Sequence, residues 1–139
     1  MRYLHTMVRV RDLDASLHFY CDLLGLQEVR RTENEAARFT LIFLAAPKNL
    51  EQSAAERSPE LELTYNWDQS AYQRGTAYGH IALAVHSVAK SCASLQAAGV
   101  SVVREAGPMQ SLSPDRTSAE NIAFIEDPDG YQIELIERR

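Results

Sequence analysis

The sequence predicts an α+β protein made of two βαβββ modules, and three observations support this prediction. A segment of alternating apolar and polar residues, typical of a half-buried strand, is followed by a helical pattern, and this combination occurs twice. Three further strand candidates follow in each half, and the last of them carries a glutamate between aliphatic residues, at Glu62 and at Glu134. The repeat places a first module at residues 1–67, a connector at 68–78 and a second module at 79–139, which together form one domain.

The first module begins with the strand candidate YLHTMVRV at residues 3–10. Asp12 or Asp14 offers the N-cap of a helix whose apolar side chains follow at helical spacing. Gly25 is a natural end for this helix. The remaining strand candidates of the module lie at residues 26–31, 38–45 and 60–66.

The second module repeats this order, beginning with the strand candidate GHIALAVH at residues 79–86. Ser87 offers the N-cap of the next helix, and Gly99 ends it. The sequence Asp-Pro-Asp-Gly at 127–130 predicts a tight turn before the last strand, because proline fixes φ and glycine accepts a positive φ. The remaining strand candidates lie at residues 100–104, 121–126 and 131–137.

Two segments interrupt the regular pattern. Residues 46–59 are polar and rich in alanine, and are predicted to form either a loop or one short helix. Residues 108–119 hold two prolines and several serines, and are predicted to form either a flap over a bound substrate or a solvated surface loop.

Composition and charge argue against a disordered chain, a membrane-spanning protein and a nucleic-acid-binding protein. Hydrophobic residues make up 45% of the 139 residues, which is typical of a folded protein, and no run approaches the ~20 apolar residues of a membrane span. The net charge of -5 argues against a nucleic-acid partner. The N-terminus is interpreted as a strand and not as a signal peptide. Neither Cys21 nor Cys92 belongs to a CxxC pair, so we expect reduced thiols in a cytoplasmic protein.

The repeat also pairs residues that can bind a metal. His5 lies in the first strand of its module and Glu62 in the last, and His80 and Glu134 occupy the matching places in the second module. Imidazole and carboxylate ligands favour Zn, Ni, Co, Mn or Fe(II), and a four-ligand site with added water leaves exchangeable positions. Taken singly, each residue could be a structural or surface side chain. Glu60 shares a strand face with Glu62, so alternation cannot choose between the two.

Four motifs carry a resemblance to a known family. The organisation resembles the vicinal oxygen chelate superfamily, and within it the chain is similar to bacterial glyoxalase I over nearly its whole length. The motifs are LHTMVRVRDLDASLHFY at 4–20, ELTYNW at 62–67, GTAYGHIALAV at 75–85 and IEDPDGYQIELIE at 125–137. The first two are the more specific, because the other two recur in looser form across the superfamily.

The resemblance implies the glyoxalase fold, with curved mixed sheets forming a metal-binding cleft. It implies that His5, Glu62, His80 and Glu134 are the metal ligands, and it selects Glu62 over Glu60. It also implies a homodimer in which His5 and Glu62 of one chain meet His80 and Glu134 of the other. Nickel or cobalt is favoured because the stretch after the ELTYNW motif is short, while the longer loops elsewhere keep zinc as the rival.

The implied activity is that of lactoylglutathione lyase, a carbon–sulfur lyase that isomerises the methylglyoxal–glutathione hemithioacetal to S-lactoylglutathione through an enediolate. Glu134 is expected to be the base that moves the proton, with Glu62 as its pseudo-symmetric partner for the opposite enantiomer. Glutathione's glutamyl carboxylate is expected to contact Arg9 and Asn66, and its glycyl end Arg104.

Three other functions compete within the same superfamily. A dioxygenase needs two histidines and one carboxylate, so a fourth ligand at Glu62 argues against it. An epimerase would reuse the fold but lacks the ELTYNW motif. A ligand-sequestering protein would need no metal, and retention of all four candidate ligands argues against that function.

Overall fold

The structure, a computed structural model, describes residues 1–109 and 120–138. It divides into two compact units, Met1–Gln73 and Arg74–Arg139. The boundary falls inside the segment predicted as a connector, residues 68–78. Nearly all of the predicted flap or surface loop at 108–119 lies outside the described residues. Within the described part of the chain, no helix is long and apolar enough to cross a membrane.

The first unit is a four-stranded mixed sheet with two helical segments. Its strands are ordered β1-β4-β3-β2, with β1 parallel to β4 and the other neighbours antiparallel. Its elements are β1 (His5–Arg9), α1 (Leu13–Leu17) continued by a π-helical segment (His18–Leu23), β2 (Gln27–Asn34), β3 (Phe39–Ala45), a 3-10 turn (Pro47–Asn49), α2 (Leu50–Glu56) and β4 (Glu60–Asn66).

Local sequence explains where the first helical segment begins and ends. Asp12, one of the two predicted caps, accepts a hydrogen bond from the backbone N–H of Ala15 at 3.0 Å. Gly25 follows the segment with a φ of 79°, which a side chain would strain. The core of this unit includes Tyr20 and the fully buried strand residues Ile42 and Leu63, so one face of the sheet is apolar.

The second unit repeats this architecture. Its strands are ordered β5-β8-β7-β6, again with one parallel pair, β5 and β8, and two antiparallel pairs. The helix packs against β6, β7 and β8. The elements are β5 (Ile81–Val85), α3 (Val88–Ala97), β6 (Ser101–Pro108), β7 (Asn121–Glu126) and β8 (Gln132–Glu137).

The predicted cap and turn of the second unit are both present. The Ser87 side chain accepts a hydrogen bond from the backbone N–H of Lys90 at 3.4 Å, and Gly99 ends the helix with a φ of 86°. In the turn before β8, the N–H of Gly130 donates to the carbonyl of Asp127 at 2.9 Å, with φ at 79°. The chain therefore changes direction where proline and glycine predicted it.

The predicted fold class is confirmed, and the differences from prediction are local. Each unit is a βαβββ module with a mixed sheet. Of the alternatives for residues 46–59, the short helix is confirmed, as α2. Strands β2 and β6 extend beyond the predicted 26–31 and 100–104 because they are edge strands, where polar side chains can stay in solvent without interrupting the ladder.

Candidate metal centre

The first unit brings His5 and Glu62 together. Strands β1 and β4 are parallel, with His5 opposite Glu60 and Met7 opposite Glu62. Because side chains alternate, all three ionisable residues lie on one face of the sheet. The Nε2 atom of His5 lies 3.0 Å from Oε2 of Glu62. Histidine therefore contacts the glutamate diagonally across the ladder and not the one directly opposite.

The second unit brings His80 and Glu134 together with the same offset. His80 immediately precedes β5, and Ala82, two residues later, is opposite Glu134 in β8. The Nε2 atom of His80 lies 3.1 Å from Oε2 of Glu134. Each unit thus holds one histidine–glutamate pair at repeat-equivalent positions.

Each pair has a recessed carboxylate and a more accessible imidazole. The side chains of Glu62 and Glu134 are 12% and 10% exposed, whereas those of His5 and His80 are 36% and 42% exposed. A recessed carboxylate is costly to desolvate unless a cation or hydrogen-bond donor accompanies it. Among residues 1–109 and 120–138, no group of three or more His, Cys, Asp or Glu side chains is gathered for a metal. Each unit therefore offers two ligands.

A phenyl ring supports each histidine. The ring of His5 packs edge-to-face on Phe43, with centroids 5.5 Å apart, and that of His80 packs likewise on Phe124 at 5.3 Å. Each phenylalanine lies directly opposite the glutamate of its pair in the adjacent strand. Sequence reasoning missed both, although an aromatic residue at matching places in β3 and β7 is a visible signal.

Glu60 is fully engaged elsewhere. Its buried carboxylate accepts two hydrogen bonds from the guanidinium of Arg30, at 3.0 and 2.7 Å, and one from the hydroxyl of Ser53 at 2.8 Å. The same guanidinium lies 3.6 Å from the centroid of Phe43, over its ring. With its charge balanced and both oxygens bonded, Glu60 is an internal ion-pair partner, and Glu62 is left as the carboxylate beside His5.

The two candidate ligand carboxylates differ in their neighbours. The hydroxyl of Thr64 donates to Oε1 of Glu62 at 3.0 Å, so both oxygens of Glu62 have partners. Ile136 takes the place of Thr64 in β8, two residues after Glu134. Within the described chain, Glu134 contacts only His80 through a hydrogen bond or ion pair. One carboxylate is therefore held at both oxygens and the other at one.

The candidate glutathione contacts lie in different settings. Arg9 is exposed on the face of β1 that carries His5, and Asn66 follows on the same face of β4, where its amide donates to the Tyr72 hydroxyl at 3.0 Å. Arg104 donates to the carbonyls of Ile122 at 2.7 Å and Pro108 at 2.8 Å. The first unit thus places Arg9 and Asn66 on the sheet face that carries its histidine–glutamate pair, while Arg104 binds the backbone of β6 and β7.

Neither cysteine has the surroundings of a nucleophile. Burial raises the pKa of the Cys21 thiol, and burial likewise raises the pKa of the Cys92 thiol. Nearby carboxylates add to both shifts. Both residues are free cysteines. Raised pKa values keep the sulfur protonated and weakly nucleophilic.

Comparison with known proteins identifies the family. Residues 2–135 match the family model described as the Glyoxalase/Bleomycin resistance protein/Dioxygenase superfamily. The lactoylglutathione lyase of Haemophilus influenzae is 46% identical over 139 residues, which cover 100% of this chain and 94% of that protein. The chain belongs to the glyoxalase I family. A second member of this family, the lactoylglutathione lyase of Escherichia coli O157:H7, is 44% identical over 100% of this chain and 94% of its own.

Solved structures of glyoxalase I share the fold. The trypanothione-dependent enzyme of Leishmania major matches with a TM-score of 0.77 and 38% identity, covering 99% of this chain and 86% of that chain. The glyoxalase I of Zea mays matches with a TM-score of 0.81 and 34% identity over 99% of this chain. This chain spans 44% of the maize chain, less than half its length. The predicted glyoxalase fold and family are both confirmed.

Proposed function

We propose that this protein is a metal-dependent lactoylglutathione lyase that converts the methylglyoxal–glutathione hemithioacetal to S-lactoylglutathione. The observation that carries the proposal is the pair of equivalent histidine–glutamate contacts, at 3.0 and 3.1 Å, in a chain of the glyoxalase I family. Full-length relatives named lactoylglutathione lyase support the same reaction.

The donor set fits a divalent transition metal. His5, Glu62, His80 and Glu134 would hold it through two imidazole nitrogens and two carboxylates, which suit Ni, Co or Zn. Within each pair the imidazole nitrogen and the carboxylate oxygen lie 3.0 and 3.1 Å apart, close enough for both atoms to bind the same ion. We favour nickel or cobalt, with zinc as the alternative.

A complete ligand set needs a first unit and a second unit. We propose that they come from two chains, so that His5 and Glu62 of one protomer share an ion with His80 and Glu134 of its partner. This arrangement makes the protein a homodimer with two identical active sites. We further propose that it works in the cytoplasm, where free thiols such as Cys21 stay reduced.

The reaction requires a proton to leave one carbon of the hemithioacetal and return to the next. His5, Glu62, His80 and Glu134 would hold a divalent metal, whose positive charge would stabilise negative charge developing on the substrate by several kcal/mol. We assign the proton transfer to Glu134, because its Oε1 has no hydrogen-bond partner in the described residues, whereas both oxygens of Glu62 are held. Glu62 is the partner carboxylate for the opposite enantiomer.

Glutathione binding is assigned to three polar side chains. Arg9 and the amide of Asn66 would hold the glutamyl carboxylate through charge-assisted and neutral hydrogen bonds on the face that carries His5. Arg104 would contact the glycyl carboxylate. Its two bonds to backbone carbonyls use two of the five N–H donors of a guanidinium, which leaves donors for a ligand.

Metal reconstitution tests this function. Protein dialysed against a chelator is expected to form no thioester from methylglyoxal and glutathione, and to regain activity when Ni²⁺ or Co²⁺ is added, with less or none from Zn²⁺. Thioester absorbance in the ultraviolet measures the product, and elemental analysis measures the metal bound. Absence of thioester with every metal would contradict the proposal and favour a ligand-sequestering protein.

A further inference from the structure

The two candidate metal ligands in strands β4 and β8 have equivalent positions but unequal neighbours. Two residues beyond each glutamate, on the same strand face, stands Thr64 in the first unit and Ile136 in the second. Threonine can donate a hydrogen bond to a carboxylate and isoleucine cannot. The two units therefore match in their histidine, glutamate and phenylalanine residues, and at this position they differ by one hydroxyl.

We propose that Thr64 is a positioning residue that makes Glu62 the fixed carboxylate of the pair. The Thr64 hydroxyl binds Oε1 of Glu62 at 3.0 Å and so leaves Oε2 directed at Nε2 of His5. A carboxylate held at both oxygens cannot rotate freely, so the Thr64 hydrogen bond keeps Oε2 of Glu62 in place beside His5. This inference rests on the proposed metal-dependent function. It adds a structural reason why Glu134, and not Glu62, is the main base.

Ile136 leaves the second carboxylate with one hydrogen bond fewer than the first. With no donor at that place, the only hydrogen-bond or ion-pair contact of Glu134 in the described residues is His80. A general base must change its position or protonation during the reaction, so a carboxylate with fewer hydrogen bonds is better suited to accept the proton. The contrast between Thr64 and Ile136 thus makes Glu62 the more firmly held metal ligand and Glu134 the main base, while Glu62 serves as base for the opposite enantiomer alone.

Metal affinity of the apo-protein is the first test. Calorimetric titration with Ni²⁺ is expected to show Thr64→Val binding about tenfold more weakly than the unaltered protein, because residues that orient a ligand typically contribute 10–100-fold. Thr64→Ser keeps the donor and is expected to retain the original affinity. If Thr64→Val binds as tightly as the unaltered protein, or if Thr64→Ser is weakened as much as Thr64→Val, the assignment is wrong.

The reverse substitution is the second test. Ile136→Thr gives Glu134 the donor that Glu62 has, and is expected to lower kcat several-fold with KM nearly unchanged, while the control Ile136→Val leaves both as they were. An unchanged kcat in Ile136→Thr would overturn the proposed division of roles. If the unaltered protein itself binds no nickel and forms no thioester, the proposed function fails. If the unaltered protein binds nickel and is active but the variants give the contradicting results, only the role proposed for Thr64 fails.

Discussion

Glu134→Gln is expected to lower kcat by about 10²–10⁴-fold while nickel remains bound, because a general base contributes a factor of that size and an amide cannot accept the proton. The amide oxygen still resembles a carboxylate oxygen as a ligand, so metal content is expected to fall little. Steady-state thioester formation and elemental analysis measure the two quantities. The matched control is Glu105→Gln, which changes an exposed carboxylate in the same unit.

The same substitution at Glu62 distinguishes a metal ligand from a general base. Glu62→Gln is expected to reduce nickel affinity more than Glu134→Gln does, because its carboxylate is held in place by both Thr64 and His5. If Glu134→Gln keeps its metal and nearly full turnover, another group moves the proton. If both variants lose activity only because they lose metal, Glu134 is a ligand without the catalytic role proposed for it.

Arg30→Leu is expected to lower the free energy of unfolding by about 3–5 kcal/mol, because removing one partner of a buried ion pair leaves the other uncompensated. The carboxylate of Glu60 is 0% exposed and would keep only the hydroxyl of Ser53. Leucine also removes the guanidinium that lies over Phe43. Urea unfolding monitored by tryptophan fluorescence and circular dichroism measures the loss as a lower midpoint.

Two further variants distinguish the stabilising effect of this buried ion pair from that of an exposed one. Arg31→Leu removes the neighbouring arginine, whose partner Glu28 is about one-third exposed, and is expected to cost under about 1 kcal/mol. Adding Glu60→Gln to Arg30→Leu neutralises the carboxylate that has lost its ion-pair partner, and is expected to restore much of the stability. Equal costs for Arg30→Leu and Arg31→Leu would contradict the importance given to the Arg30–Glu60 pair.

The modules could be predicted from the sequence because each depends on local signals. Asp12 and Ser87 satisfy the first N–H groups of their helices, and Gly25 and Gly99 end them with positive φ, so boundaries follow from nearby residues. The continuation of α1 as a π-helical segment was not predicted, since helical spacing of apolar residues does not distinguish the two helix types. Most of the fold was therefore accessible from pattern alone.

The choice between Glu60 and Glu62 could not be made from alternation, which fixes only the strand face. It depends on the parallel register of β1 and β4, and on Arg30, which is contributed by β2 and claims the Glu60 carboxylate. Both are contacts between segments distant in the sequence. The resemblance to glyoxalase I selected Glu62, and the contact with His5 agrees with that choice. The hydrogen bond from Thr64 to Glu62 was not predicted, although the contrast between Thr64 and Ile136 is visible when the two halves of the sequence are aligned.

The most direct measurement is the anomalous scattering of nickel in crystals grown with Ni²⁺. We expect one nickel peak per active site, with Nε2 of His5 and His80 and one carboxylate oxygen each of Glu62 and Glu134 at about 2.0–2.2 Å from it. Nickel bound to other residues, or to only one histidine–glutamate pair with the second pair remote from it, would contradict the shared four-ligand site.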